Sequence, residues 1–287
     1  MTMWIAESIA DFRAHRRELA GTVGLVPTMG ALHAGHLSLV RAAAEQCDHV
    51  VASLFVNPTQ FGAGEDFTRY PRPEASDLAA FADAGVAGVF KPTVDAMYPP
   101  ATPACEVLVP ALAGELEGRH RPTHFAGVCR VVAKLLNVVQ ADVACFGRKD
   151  YQQWRIIEAM AADLCIPTRI VGCPTVREPD GLAMSSRNQY LDDAQRQRAL
   201  GLSKALREAK VLIEQAGETD PKAVERAMEQ VMIAHRVAVD YAAVRHPTTL
   251  GQLDCVEPSL TGGVVALVAG RVDEVRLIDN DWIGVAS

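Results

Sequence analysis

The stretch Thr22-Val-Gly-Leu-Val-Pro-Thr-Met-Gly-Ala-Leu-His-Ala-Gly-His36, continued as LSLVRAAAEQCDHVVASLFVN to Asn57, decides the fold. Thr22 to Pro27 is a short apolar run that stops at Pro-Thr-Met-Gly, after which Leu37, Val40, Arg41 and Ala44 set a helical period reaching Cys47. A second apolar run, Val50 to Val56, breaks at Asn57-Pro58. Strand, loop, helix and strand in that order make a parallel β-α-β unit. Its strand-to-helix loops lie at the carboxyl ends of the strands.

Outward from this unit the alternation continues. Leu78 to Ala84 reads as a helix closed by Gly85, and Val86 to Phe90 as a strand. Helix, strand, helix and strand follow at Val128 to Val139, Val143 to Phe146, Tyr151 to Leu164 and Arg169 to Cys173. This pattern predicts an α/β fold, a Rossmann-like doubly wound parallel sheet with helices on both faces. After Val176 the character changes. Two helices, one carrying Leu202, Leu206, Ala209 and Ile213 on a single face and one at Lys222 to His235, precede strand-like runs at Val237 to Val244, Val264 to Val268 and Val275 to Ile278. Helices first and strands later predict a smaller α+β domain, so residues 1–175 and 176–287 are expected as two domains with a hinge near Val176.

Composition narrows the function classes. The chain has 287 residues, 49% hydrophobic and 22% charged, which is enough for a sizeable core. A formal net charge of -7 argues against general affinity for a nucleic-acid backbone. The cysteines at 47, 105, 129, 145, 165, 173 and 255 are scattered and never form C-x-x-C, so reduced structural thiols in the cytoplasm are expected, with no zinc site. The apolar runs are shorter than the roughly 20 residues a bilayer requires, and no export segment is read at the N-terminus.

Three loops carry residues suited to phosphate chemistry. His33-Ala-Gly-His36 sits where a strand gives way to a helix: Gly30 and Gly35 allow close backbone approach, and the helix start offers unpaired N–H groups. Both imidazoles can donate to developing negative charge; equally, one can cap a turn and the other pack. Neither a Gly-x-Gly-x-x-Gly nor a Gly-x-x-x-x-Gly-Lys-Ser/Thr loop is present, so phosphate binding would rest on the histidine loop. The second loop, Phe146-Gly147-Arg148-Lys149-Asp150-Tyr151-Gln152-Gln153, offers a mobile cation at Lys149 and a polar amide at Gln153, while Asp150 is a ligand contact or simply a helix N-cap. The third, Ala183-Met184-Ser185-Ser186-Arg187-Asn188, places two hydroxyls beside a guanidinium, a set that grips phosphate oxygens or merely faces solvent.

Between them lies Phe55-Val56-Asn57-Pro58-Thr59-Gln60-Phe61, whose uncharged Asn57 and Gln60 suit hydroxyl and carboxylate recognition, unless they only cap a turn at Pro58. Arg121 and His124, within Arg119 to Gly127, belong to a loop that covers such a site or only decorates it.

With PTMGALHAGH, FVNPTQF, RPTHFAGV, FGRKDYQQ and VREPDGLAMSSRN in this order, the chain resembles the pantoate–β-alanine ligases, of the nucleotidyltransferase-like adenylate-forming superfamily, from about Val23 to Asn280. The resemblance implies an amide-forming ligase that joins pantoate to β-alanine through a pantoyl adenylate, with AMP and pyrophosphate as products. It implies ATP along Pro27, Thr28, Met29, Gly30, His33, Gly35 and His36, then Gly147, Lys149, Asp150, Val176, Met184, Ser185, Ser186 and Arg187. Of these, His36 would be the proton donor, and His33, Lys149, Ser185, Ser186 and Arg187 would stabilise phosphate charge. Pantoate and β-alanine would meet Met29, Asn57, Gln60, Arg121, His124 and Gln153. Magnesium would accompany ATP, with Asp77 as a ligand through water or else a solvated acid on a helix. The resemblance also implies a cytoplasmic homodimer whose second domain acts as a lid on the dimer side.

Two positions depart from the family pattern. Arg148 stands where an acid is commoner, pointing to solvent or adding charge near the nucleotide, and Ser76 precedes Asp77 where paired acids occur. Two other functions fit parts of the pattern. A nucleotidylyltransferase acting on a phosphorylated acceptor would use the same histidine loop but favours additional Arg or Lys in the acceptor pocket. A nucleotide-sensing module would bind ATP without turnover.

Overall fold

The computed structural model describes residues 2–256 and 263–284. The chain divides into two compact units, Met1–Arg148 with Gln152–Pro174, and Lys149–Tyr151 with Thr175–Ser287.

The first unit is built on β1 (Trp4–Ala6), α1 (Ile9–Glu18), β2 (Val23–Thr28), α2 (Ala34–Ala44), β3 (His49–Leu54), α3 (Glu74–Asp83) and β4 (Gly88–Phe90). Three one-turn helices follow, α4 (Val94–Met97), α5 (Pro110–Ala113) and α6 (Glu117–His120), and then α7 (His124–Val139), β5 (Val143–Gly147), α8 (Tyr151–Asp163) and β6 (Arg169–Cys173). The strands pair in the order β1-β4-β3-β2-β5-β6, and every pairing is parallel. Helices on both faces bury the strands from two sides, which is why β3 and β5 read as nearly continuous apolar runs.

The chain moves outward from β2 to β3 and β4, then returns to place β5 on the other side of β2. That reversal makes the β2/β5 junction a topological switch point, where a crevice opens beyond the carboxyl ends. Pro27 widens it. Strand β2 pairs with β5 only at Gly24 and Leu25, whereas it follows β3 to Thr28, and a proline lacks the N–H that a further rung would need.

The second unit contains α9 (Asp193–Glu214), α10 (Pro221–Ala234) and the antiparallel sheet β7 (Ala238–Arg245), β8 (Val264–Val272) and β9 (Val275–Ile283), in the order β7-β8-β9. Leu202, Leu206, Ala209 and Ile213 of α9 join Met228 and Met232 of α10 and Val244, Ala266 and Val268 of the sheet in one core. Asp192 caps α9 in a reciprocal capping box with Gln195.

Several boundaries differ from the sequence reading for identifiable reasons. β1 is only three residues long, too short for a period to register, yet Trp4 packs so closely on Gly88 that a Cβ there would lie 2.2 Å from its ring. Helix α7 begins at His124, so part of the expected Arg119 to Gly127 loop is helical. Strands β8 and β9 run past the expected ends because Arg271, Asp279 and Asn280 interrupt the apolar pattern but not the ladder. Lys149–Tyr151 groups with the second unit, through Asn280 Nδ2 donating to the Lys149 carbonyl at 2.7 Å and Tyr151 Oη to the Pro247 carbonyl at 3.0 Å. All seven cysteines are free thiols, and burial pushes Cys129 up to about 11. Among the described residues no helix is long and apolar enough to cross a membrane.

Candidate active site

The loop after β2 is shaped before any ligand is considered. Gly30 has φ +88°, and a Cβ on it would sit 2.8 Å from both Asp77 Oδ2 and Leu54 Cδ1, so glycine is required twice over. Ala31, also left-handed at φ +52°, donates its N–H to Asp77 Oδ2 at 2.9 Å, and Leu32 donates to Asp77 Oδ1 at 2.8 Å. Asp77 is 2% exposed and is not solvated; each of its carboxylate oxygens accepts one of these backbone donors. Among the described residues no group of three or more His, Cys, Asp or Glu could hold a metal ion. Asp77 is the brace of the loop after β2. Asp77→Ala is expected to cost about 1–3 kcal/mol, because two backbone donors lose their acceptor. Urea unfolding reads that loss, and the magnesium concentration for half-maximal rate should move less than about threefold, whereas loss of a metal ligand shifts it tenfold or more.

His33 and His36 form a reciprocal cap at the start of α2. His33 Nδ1 accepts from Gly35 N–H at 3.1 Å, and His36 Nδ1 accepts from His33 N–H at 3.3 Å. The rings lie 4.1 Å apart between centroids. Since each Nδ1 is an acceptor, each neutral ring carries its proton on Nε2. Capping and ligand donation therefore use different nitrogens, and the two readings open in the sequence are compatible.

At the end of β3, Asn57 caps a 3-10 turn, Pro58–Gln60. Its Oδ1 accepts from Thr59 N–H at 3.2 Å, Thr59 Oγ1 at 2.9 Å and Tyr98 Oη at 2.8 Å. A backbone N–H can only donate, so the amide orientation of Asn57 is determined and Nδ2 points the other way. There it donates to Gln60 Oε1 at 3.0 Å and to the Gly127 carbonyl at 3.2 Å. Gln60 is set in turn: its oxygen faces Asn57, and its NH2 faces Met29, with Sδ at 3.2 Å. A cavity of about 270 Å³ adjoins Met29 and Asp77, lined also by Leu54, Phe55 and Val56.

Arg121 and His124 lie behind Gln60. His124 Nδ1 is 2.8 Å from the Gln60 carbonyl, and Arg121 reaches that carbonyl at 3.3 Å. Burial, reinforced by the neighbouring Arg121 charge, pushes the His124 imidazole down to about 4, so it is neutral at physiological pH. Gln153, in the first turn of α8, belongs to neither network, while its neighbour Gln152 is consumed by Leu112, Glu115 and Glu117. A Cβ on Gly147 would meet no atom within 4 Å, so packing does not dictate that glycine. The Arg148 guanidinium lies 5.1 Å from the Trp154 ring centroid.

In the second unit, Lys149 Nζ is 3.6 Å from Asp150 Oδ1. Val176 accepts the Met184 N–H at 3.0 Å, closing a short loop through Gly181 at φ +95°. Ser185 caps the 3-10 turn Ser186–Tyr190 by accepting from Arg187 N–H. Two residues not anticipated as functional hold this unit's loops. Asp279 takes both arms of Arg177, at 2.7 and 3.1 Å, and Asn280 holds the Lys149 carbonyl. The signal was a polar Asp-Asn pair inside an apolar strand pattern, which a sheet tolerates when it is partnered.

Comparison with known proteins extends over nearly the whole chain. Residues 4–282 match the family model described as pantoate-beta-alanine ligase. A pantothenate synthetase of Rhodopirellula baltica is 53% identical, covering 97% of this chain and 98% of that protein. One from Moorella thermoacetica is 48% identical over 95% of each. The crystal structure of pantothenate synthetase from Thermus thermophilus is similar with a TM-score of 0.91 at 44% identity, covering 99% of this chain and 100% of that one. The ligase from Francisella tularensis, described as complexed with β-γ ATP and β-alanine, gives 0.80 at 32% identity, covering 98% and 97%.

Proposed function

The chain belongs to the pantoate–β-alanine ligase family, and from that premise we propose how its residues divide the work. The enzyme condenses pantoate with β-alanine, using ATP, through a pantoyl adenylate, and releases AMP and pyrophosphate. A carboxylate is a poor acyl electrophile, so its oxygen first attacks the α-phosphorus and expels pyrophosphate. The β-alanine amine then attacks the acyl carbon and AMP leaves.

Neither step needs a covalent enzyme nucleophile; positioning and charge stabilisation carry both. In our reading, the Nε2–H groups of His33 and His36 donate to phosphate oxygens, with His36 protonating the departing charge. Pro27 to Gly30, Gly35, Gly147, Asp150, Val176 and Met184 line the nucleotide, and Lys149, Ser185, Ser186 and Arg187 neutralise its phosphates. Met29, Asn57, Gln60 and Gln153 receive pantoate, Gln60 also bordering β-alanine. An uncharged lining leaves the attacking carboxylate un-neutralised, as a nucleophile must be. Magnesium would travel with the ATP phosphates. We place the enzyme in the cytoplasm as a homodimer, which sedimentation tests.

The reciprocal histidine cap carries this reading, because it sets two imidazole donors at the switch-point crevice of a nucleotide-binding sheet. The test is to follow AMP and pyrophosphate. With pantoate alone, ATP–pyrophosphate exchange is expected with little AMP released; adding β-alanine should start steady AMP release. ATP turnover indifferent to pantoate would refute the substrate assignment.

A further inference from the structure

We infer that Glu65, Arg121 and His124 are positioning residues that hold the backbone of Gln60, and that His124 does not itself touch the acid. The inference rests on the reading that Gln60 receives pantoate.

The hydrogen bonds run in one direction. Glu65 and Arg121 form a two-pronged pair, with Nε to Oε1 at 2.7 Å and Nη2 to Oε2 at 2.6 Å. Burial would push Glu65 up, but the Arg121 hydrogen bonds and charge outweigh it and leave its carboxyl below the usual range. The remaining prong, Nη1, lies 3.2 Å from His124 Nε2. A guanidinium only donates, so Nε2 is the acceptor and the His124 proton sits on Nδ1. That proton is delivered to the Gln60 carbonyl, which can only accept. Both nitrogens of His124 are thus committed to the protein, and the residue is 8% exposed.

The same turn is gripped from the backbone of α7. A Cβ on Gly127 would fall 2.2 Å from the Thr59 carbonyl oxygen and 2.7 Å from Gln60 Cα, so the helix touches the turn directly. With Asn57 orienting the Gln60 amide and this chain fixing its carbonyl, Gln60 offers an NH2 whose direction is set before the acid arrives. Ordering the donor in advance lowers what binding must supply.

The test compares pantoate KM in four proteins: wild type, Gln60→Ala, His124→Ala and the double variant. His124→Ala is expected to raise pantoate KM about tenfold, as loss of one oriented hydrogen bond does, with ATP and β-alanine KM changed less than about twofold. In the Gln60→Ala background the same change should add less than about twofold, because there is no longer an amide to aim. Equal factors in both backgrounds would overturn the positioning role in favour of direct contact. If Gln60→Ala alone leaves pantoate KM unaltered, the assignment of Gln60 fails, and that result is read separately from the coupling. Asparagine carries its NH2 where histidine carries Nδ1, whereas glutamine reaches the Nε2 position. His124→Asn should therefore restore pantoate KM and His124→Gln should not; the reverse pattern also overturns the inference. Should His124→Ala fail to fold, Glu65→Gln, which loosens the Arg121 fork, carries the same cycle.

Discussion

His36→Ala is expected to slow single-turnover formation of the pantoyl adenylate by about 10²–10³-fold, the loss seen when one preorganised donor to developing anionic charge is removed. The chain should stay folded, since the cap lost with the imidazole is worth about 1 kcal/mol. Separating those effects is possible because His36 uses Nδ1 for the cap and carries its proton on Nε2. Position N3 of a capping box ordinarily holds Glu or Gln. His36→Glu should therefore keep the melting temperature within a degree or two while placing an anion where the triphosphate must sit, and its adenylation should be slower still. His36→Gln keeps both the cap and an N–H donor, so it should retain the most activity of the three. Rapid-quench measurement of the adenylate and a thermal melt are sufficient. Near-normal adenylation by His36→Ala would end the proposed role, and a large fall in stability for His36→Glu would show that the cap needs the ring itself.

What could be read from the sequence, and what could not, divides along the range of the interactions. The β2-loop-α2-β3 unit was legible because strand period, Gly30 and the helix start are local, and the alternation beyond it implied the parallel sheet. The partners that hold the site are not local. Asp77 meets the Ala31 N–H across 46 residues, His124 meets Gln60 across 64, and Arg177 meets Asp279 across 102. No periodicity encodes such pairs. The solvated reading of Asp77 consequently misses its two backbone donors, and the sequence gives no sign that the two nitrogens of His124 face Arg121 and Gln60. The expected end of a strand at Ile278 fails for a related reason. Asp279 and Asn280 are polar, and distant partners, Arg177 and Lys149 among them, make them tolerable inside β9.

Those partners make Asp279 the other position where a single change should have a large effect. Its side chain is 2% exposed and holds the 30%-exposed Arg177, whose guanidinium also donates to the Gly181 carbonyl at 3.1 Å and the Asn280 carbonyl at 3.2 Å. Burial pushes the Asp279 carboxyl above its ordinary range, and Arg177 pulls against that push. Asp279→Ala strands the guanidinium, and breaking such a pair costs roughly 3–5 kcal/mol, here toward the lower end because Arg177 keeps some water. Urea unfolding should show the loss in the second unit. Replacing both partners, as Arg177→Met with Asp279→Leu, removes the uncompensated charge and should recover most of the stability, since apolar pairs of similar volume often match or exceed a buried ion pair. Activity should not recover with it. The segment from Arg177 to Ala183 leads into Ser185, Ser186 and Arg187, and the fork on Gly181 and Asn280 ties that segment to β9, beside the local bonds of Met184 to Val176 and of Asn188 to Glu178 and Ala183. An ATP KM raised about tenfold in a double variant as stable as wild type is the expected outcome. Full activity in that variant would mean that the pair serves the fold alone, and that the Ser185 to Arg187 loop is placed by other contacts.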